Sequence, residues 1–190
     1  MSEVSIDNRA LQKLGEGSIE ALDQNHPNAR SMNLAYAPVR DRLQRVYSWN
    51  FCKARASIAA DSVKTLFNGL NRFEKPNNFL RLLRTKEIDG LDIRHDWQIE
   101  GNYVVTAESA PLEFRYLAKV TDTAIFDPLF AELLATVIAK ETCLQVTGSN
   151  VREGNLSDDI KIILAEARLV NAYENDSEVP LEDDWVLAMR

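Results

Sequence analysis

Apolar positions recur at helical spacing in four stretches of the chain. Met32, Tyr36, Val39, Leu43 and Val46 follow at steps of four, three, four and three, one face of a helix over about 27–47. Pro27 suits its first turn. Arg30, Arg40, Arg42 and Arg45 fall mostly off that face. Pro38 lacks a backbone N–H and is expected to kink or split the helix. A shorter helix is expected over about 7–14, with Ala10, Leu11 and Leu14 on one side and Gly15 as its stop. A third runs over about 128–147, capped by Asp127, opened by Pro128 and stopped by Gly148. Phe130, Leu133, Leu134, Val137, Ile138 and Leu144 make it apolar over a wide arc. Glu132, Thr136 and Lys140 form its polar stripe, so it reads as a mostly buried packing helix. The last helix is expected over about 157–174, capped by Asn155 or Ser157, with Asp158 and Asp159 at its positive end. Ile160, Ile163, Leu164, Ala167 and Val170 are its core face.

The middle of the chain, about 48–119, has a different rhythm. Trp49, Phe51, Arg55 and Ser57 read as extended. Asn68-Gly69 and Pro76-Asn77-Asn78 supply turns. Trp97-Gln98-Ile99 and Tyr103-Val104-Val105 flank Glu100-Gly101-Asn102, a hairpin. Leu112-Glu113-Phe114-Arg115-Tyr116-Leu117 reads as a strand. The expected class is α+β, mainly α: an antiparallel helical bundle with a small antiparallel β-sheet and an extended C-terminal tail. The organisation is one domain over 1–174 and a tail over 175–190.

Composition supports a core without staples. The chain has 190 residues, 45% hydrophobic and 27% charged. Cys52 and Cys143 fit no metal or redox spacing and read as reduced, partly buried thiols. The N-terminus carries acids and no apolar segment of a secretory signal. No stretch approaches the ~20 apolar residues of a membrane span. Synthesis in the cytoplasm, with no membrane partner, is expected. The net charge of −7 is uneven: between positions 40 and 86, eleven Lys/Arg face only Asp41, Asp61 and Glu74. Such asymmetry bears on partners more than on fold.

The candidate chemistry is thin. His95 and Asp96 lie near Glu87, Asp89 and Asp92, but one histidine among acids of a solvated turn is a poor metal set. His26 reads as a helix-entry residue. Gly15-Glu16-Gly17-Ser18 lacks the Gly-Lys-Ser/Thr of a phosphate loop. No nucleophile elbow is present, and Glu132 and Glu141 fall on opposite sides of their helix. No catalytic, cofactor-binding or metal-binding residue is assigned, and no cofactor is expected. Lys53, Arg55, Lys64, Arg72, Lys75, Arg81, Arg84 and Lys86 are interleaved with Trp49, Phe51, Phe67, Phe73 and Phe79. This pattern fits nucleic-acid binding, or a core of aromatics beneath a subunit-facing basic surface. No nucleic-acid-binding signature accompanies it, and the second reading is preferred. Lys53, Arg55, Lys64, Arg72, Arg81 and Arg84 are therefore candidate interface residues.

The C-terminal stretch points to a partner. Residues 175–184 are acidic and interrupted by Pro180. Trp185, Val186, Leu187, Met189 and Arg190 then form an apolar anchor with a terminal charge. A linker ending in such an anchor has the form of a docking peptide that orders on binding; the alternative is that Trp185 folds back on its own domain.

Taken in order, several segments resemble the tail tubular protein A, or head-to-tail adaptor, family of short-tailed bacteriophages. They are Tyr47-Ser48-Trp49-Asn50-Phe51, Pro76-Asn77-Asn78-Phe79-Leu80-Arg81, Trp97-Gln98-Ile99-Glu100-Gly101 and Phe114-Arg115-Tyr116. Phe126-Asp127-Pro128-Leu129-Phe130, Ala165-Glu166-Ala167-Arg168 and Asp184-Trp185-Val186-Leu187-Ala188-Met189-Arg190 follow. Asn77-Asn78 departs from the acid expected before Phe-Leu-Arg. The resemblance implies a structural protein of the virion tail and not an enzyme. It implies a ring of about twelve copies with heterologous contacts between neighbours. The partners implied are the portal protein, reached by the C-terminal segment, and a tail nozzle protein similar to tail tubular protein B. Double-stranded DNA would pass through the lumen without sequence-specific binding. The alternatives are a tail-associated cell-wall hydrolase and a nucleic-acid-binding module.

Overall fold

The structure, a computed structural model, describes residues 1–65, 68–83 and 97–174. It is mixed α and β, mainly α, with helices α1 (Glu3–Leu14), α2 (Pro27–Val46), α3 (Pro128–Thr147) and α4 (Asn150–Tyr173). The strands are β1 (Lys53–Ile58), β2 (Asn71–Glu74), β3 (Phe79–Leu83), β4 (Gln98–Glu100), β5 (Tyr103–Thr106) and β6 (Leu112–Ala118). They fall in two compact units. The helical unit is Met1–Phe51 with Val120–Asp176, and the β unit is centred on Cys52–Lys119.

In the helical unit α3 packs against α1, α2 and α4. Asp127 Oδ1 accepts from the amides of Leu129 and Phe130 at 2.8 and 3.0 Å, and Gly148 closes the helix at φ 66°, so both expected caps are present. Burial is nearly all round. Thr136, expected on a polar stripe, is fully buried and returns its hydroxyl to the Glu132 carbonyl at 2.7 Å. Leu144, expected inside, is exposed.

Helix α1 begins four residues earlier than the apolar pattern indicates, because Ser2 and Ser5 form a capping box. The Ser5 amide donates to Ser2 Oγ at 3.1 Å and the Ser2 amide to Ser5 Oγ at 2.9 Å. Helix α2 is not split at Pro38. The carbonyl that Pro38 deprives of a donor belongs to Leu34, an exposed residue, so water can take that bond. Met32, Tyr36, Val39 and Leu43 are buried as the spacing predicts, whereas Val46 is exposed. Trp49 is buried, donates Nε1–H to the Leu43 carbonyl at 3.0 Å and meets Phe130 edge-on at 5.1 Å. Phe51 and Phe126 complete this aromatic cluster.

The largest correction is at α4. It starts at Asn150, not near 157, and its cap is Ser149, whose Oγ accepts from the Arg152 amide at 3.3 Å. Neither Asn155 nor Ser157 caps it. Gly154 lies within the helix.

The β unit holds two three-stranded antiparallel sheets, β1-β6-β3 and β2-β5-β4, where one small sheet is expected from sequence. The predicted hairpin is β4–β5. Alternation decides the faces. Leu112, Phe114 and Tyr116 of β6 join Phe73 of β2 and Val104 of β5 in one core, with Ala54, Ala56, Ile58, Phe79, Leu82 and Trp97 packed against it.

Candidate assembly surface

The basic residues singled out by sequence separate into three groups. Lys53 and Arg55 are exposed on β1, the edge strand of its sheet. Register places Arg55 opposite Arg115, and Lys53 and Arg81 both opposite Leu117. Lys53, Arg55, Arg81 and Arg115 therefore share the sheet face that points away from the Phe114 core. Arg115 is absent from the sequence-based set because only strand register brings it there. Lys64 is exposed on the loop after β1. Arg72 is engaged within its own unit: it pairs with Asp61 at 3.1 Å and lies 4.0 Å over the Tyr103 ring. Lys75 likewise donates to the Gly101 carbonyl at 2.7 Å and faces the Phe79 ring.

Among the described residues, the aromatics interleaved with these cations pack into the cores of their units. Trp49 and Phe73 are buried, and Phe79 stacks on Tyr116 at 5.6 Å. Arg84, Lys86, Phe67 and the Glu87–Asp96 acids and histidine lie outside the described residues. So does the anchor Trp185, Val186, Leu187, Met189 and Arg190.

The candidate reactive groups are occupied by structure. His26 caps α2 through Nδ1, which accepts from the Asn28 amide at 3.2 Å. Glu132 is held by Arg9 and Lys13 at 2.9 and 2.7 Å, and these partners keep its carboxyl below the usual range. Glu141 pairs with Arg42. Cys52 and Cys143 are buried free thiols, and burial pushes Cys52 up to about 12. Among the described residues, no three His, Cys, Asp or Glu side chains gather as metal ligands, and no helix is long and apolar enough to cross a membrane.

One buried acid gave no sign in the sequence. Asp7 sits on the core side of α1, fully buried, with neither carboxylate oxygen hydrogen-bonded. Burial, and then Glu3, raise it to about 7. The Tyr36 hydroxyl is also buried without a partner and is pushed up, first by burial and then by Glu3. Arg40 lies 5.7 Å over the Tyr36 ring and pairs with Asp41 at 2.8 Å and Glu3 at 3.8 Å.

The most distinctive surface is on α4, which is apolar on two opposite sides. Leu156 and Ala167 are buried, with Ile160, Ile163 and Leu164 half-buried beside them, while Val170 is exposed. On the far side lie Val151, Ile162, Leu169 and Tyr173, all between 55% and 78% exposed. Their steps of eleven, seven and four confine them to an arc of about 40° at 100° per residue. Ala165 and Ala172, also exposed, lie beside Ile162, Leu169 and Tyr173, whereas the exposed Asn155 and Asp158 fall in the same arc between Val151 and Ile162. The opposite side of the helix is fastened. The Asn50 amide donates to Asn171 Oδ1 and its Nδ2 to the Asn171 carbonyl, each at 2.9 Å. Arg168 lies over the Tyr47 ring and Arg152 donates to the Leu14 carbonyl. The stripe is thus presented on a fixed helix.

Compared with known proteins, the chain matches no family model and no curated sequence.

Proposed function

We propose that this chain is a structural subunit of a short-tailed phage virion, a head-to-tail adaptor that forms a ring of about twelve copies between portal and tail nozzle. In this reading the ring continues the DNA channel. The chain is made in the host cytoplasm and ends in the virion tail. The helical unit is an antiparallel bundle, and residues 175–190 are an extended tail whose Trp185, Val186, Leu187, Met189 and Arg190 dock on the portal.

The observation that carries the assembly reading is the apolar stripe Val151, Ile162, Leu169, Tyr173. Single exposed apolar residues are ordinary. Four on one narrow arc of a helix whose other side already faces its core are the mark of a surface made to be covered. The segment-by-segment resemblance supplies the particular assembly. The uneven charge agrees with heterologous contacts, where one face meets a different face of the neighbour.

The test compares the full chain with a chain lacking 185–190 for co-sedimentation with an isolated portal ring. The full chain is expected to pellet with the ring, and the truncated chain to remain in the supernatant with an unchanged circular-dichroism spectrum. Equal pelleting of both would remove the docking role of the tail. Failure of the full chain to bind would remove the adaptor reading.

A further inference from the structure

We infer that the acidic stretch 176–184 lies along the basic outward face of the β1-β6-β3 sheet of its own chain. This goes beyond the adaptor reading and is tested on the free protein.

The face calls for an anion. Lys53, Arg55, Arg81 and Arg115 share it, and by alternation Glu113, at the far end, is the one acid that these three strands add to it. Register sets Arg55 directly opposite Arg115, and like charges so placed repel. Lys53, Arg81 and Arg115 already interact within this chain. The occupant is therefore sought in the chain itself.

The stretch 176–184 has the matching charge and pattern. It carries Asp176, Glu178, Glu182, Asp183 and Asp184 and no Lys or Arg. Pro180 bars a continuous helix and biases Val179 to extended backbone. In an extended chain every second residue shares a side. Asp176, Glu178, Glu182 and Asp184 then fall on one side, at multiples of about 7 Å. Lys53 and Arg55, two residues apart on β1, have the same spacing.

Reach favours the same chain over a neighbour. The end of α4 is fastened to Asn50, which donates Nδ2 to the Asn171 carbonyl at 2.9 Å and to Glu174 Oε2 at 3.2 Å. Lys53 follows Asn50 by three residues, so at most about 10 Å of backbone separates them. Residues 175–184 extend to about 33 Å. The three strands are about 10 Å across, and β1 is about 20 Å long. The acids therefore reach every cation of the face from their own α4. Exposed ion pairs are individually weak, but the tether holds these acids at an effective concentration on the order of millimolar. A neighbouring copy or a free phosphate backbone has no such advantage. With the linker so held, Trp185 and the residues after it are presented from a fixed edge of the β unit.

The experiment measures backbone 15N relaxation of the full-length chain and reads the order parameters of residues 178–184. At low ionic strength they should exceed about 0.6, and in about 0.5 M NaCl they should fall below it. Lys53→Glu/Arg55→Glu, at two exposed positions, should release the stretch at low salt with an unchanged Tm. Glu182→Gln/Asp183→Asn/Asp184→Asn alters no described residue and should release it as well, which decides the matter if the strand variant is unstable. Order parameters below about 0.6 in the wild type at low salt would overturn the inference. Order that survives both variants would overturn the basic face as the site. Order that fades on dilution, with mass falling from dimer to monomer, would assign the stretch to a neighbouring copy and overturn the choice of the same chain. Portal binding is read separately by co-sedimentation, so each of these results leaves the adaptor reading standing.

Discussion

Replacing Asp7 by Asn should flatten the pH dependence of stability. In the folded chain the Asp7 carboxyl is raised from 3.8 to about 7, chiefly by burial, with neither oxygen hydrogen-bonded. Between these two values the folded state holds a proton that the unfolded state has released. Stability from this group is therefore complete below about pH 3.8 and is lost as pH rises through about 7. Each pH step in that interval removes about 1.4 kcal/mol, so the total reaches about 4 kcal/mol by pH 8. Asn has nearly the same shape and no charge. Its own unpartnered amide costs the same at every pH and cancels in the comparison. Urea unfolding of both proteins at several pH values between 5 and 8 gives the answer. The stability of Asp7→Asn relative to wild type should increase by roughly 3 kcal/mol across that range. Parallel pH profiles would show that Asp7 titrates alike in the folded and unfolded chain, and would refute the reading of Asp7 as an enclosed, desolvated carboxyl.

Three further outcomes follow from the packing and caps. Trp49→Ala removes a buried ring packed on Phe51 and Phe130 and one of the two donors to the Leu43 carbonyl, which keeps the Tyr47 amide. It should cost about 3–5 kcal/mol in denaturant unfolding. Asp127→Ala deprives two amides of α3 of their acceptor and should cost about 1 kcal/mol, with a matching fall in Tm. Glu132→Gln breaks partly exposed pairs with Arg9 and Lys13 and should cost about 1 kcal/mol at neutral pH. Because Glu132 is held below its ordinary range, that difference is present above the unfolded carboxyl value and vanishes in acid as the folded carboxyl is protonated.

What the chain reveals before folding depends on whether the signal is local. Helix α3 was readable because its cap, its first-turn proline, its stop and its apolar content agree over one segment. The β4–β5 hairpin was readable for the same reason. The start of α4 was not, because Gly154 in the helix resembles a boundary and Ser149 follows directly on the glycine that ends α3. The second apolar side of α4 was missed because one face at helical spacing already accounted for the helix, and Val151, Ile162, Leu169 and Tyr173 sit between its members. Strand register hid Arg115 from the basic set. It also hid the pairing that takes Arg72 out of that set, since Asp61 lies eleven residues away. Asp7 left no trace in sequence at all. An acid in the first turns of a helix is ordinarily solvated, and only the packing of α1 shows that this one is enclosed.

The proposed assembly is a ring on a portal, built through heterologous contacts between neighbouring copies. Rotational averaging of electron micrographs of portal rings mixed with the full chain tests it most directly. The account predicts an added layer of density with about twelve-fold symmetry on the tail-facing end, disappearing with Leu169→Asp. Bare portal rings in the presence of excess folded chain would contradict it.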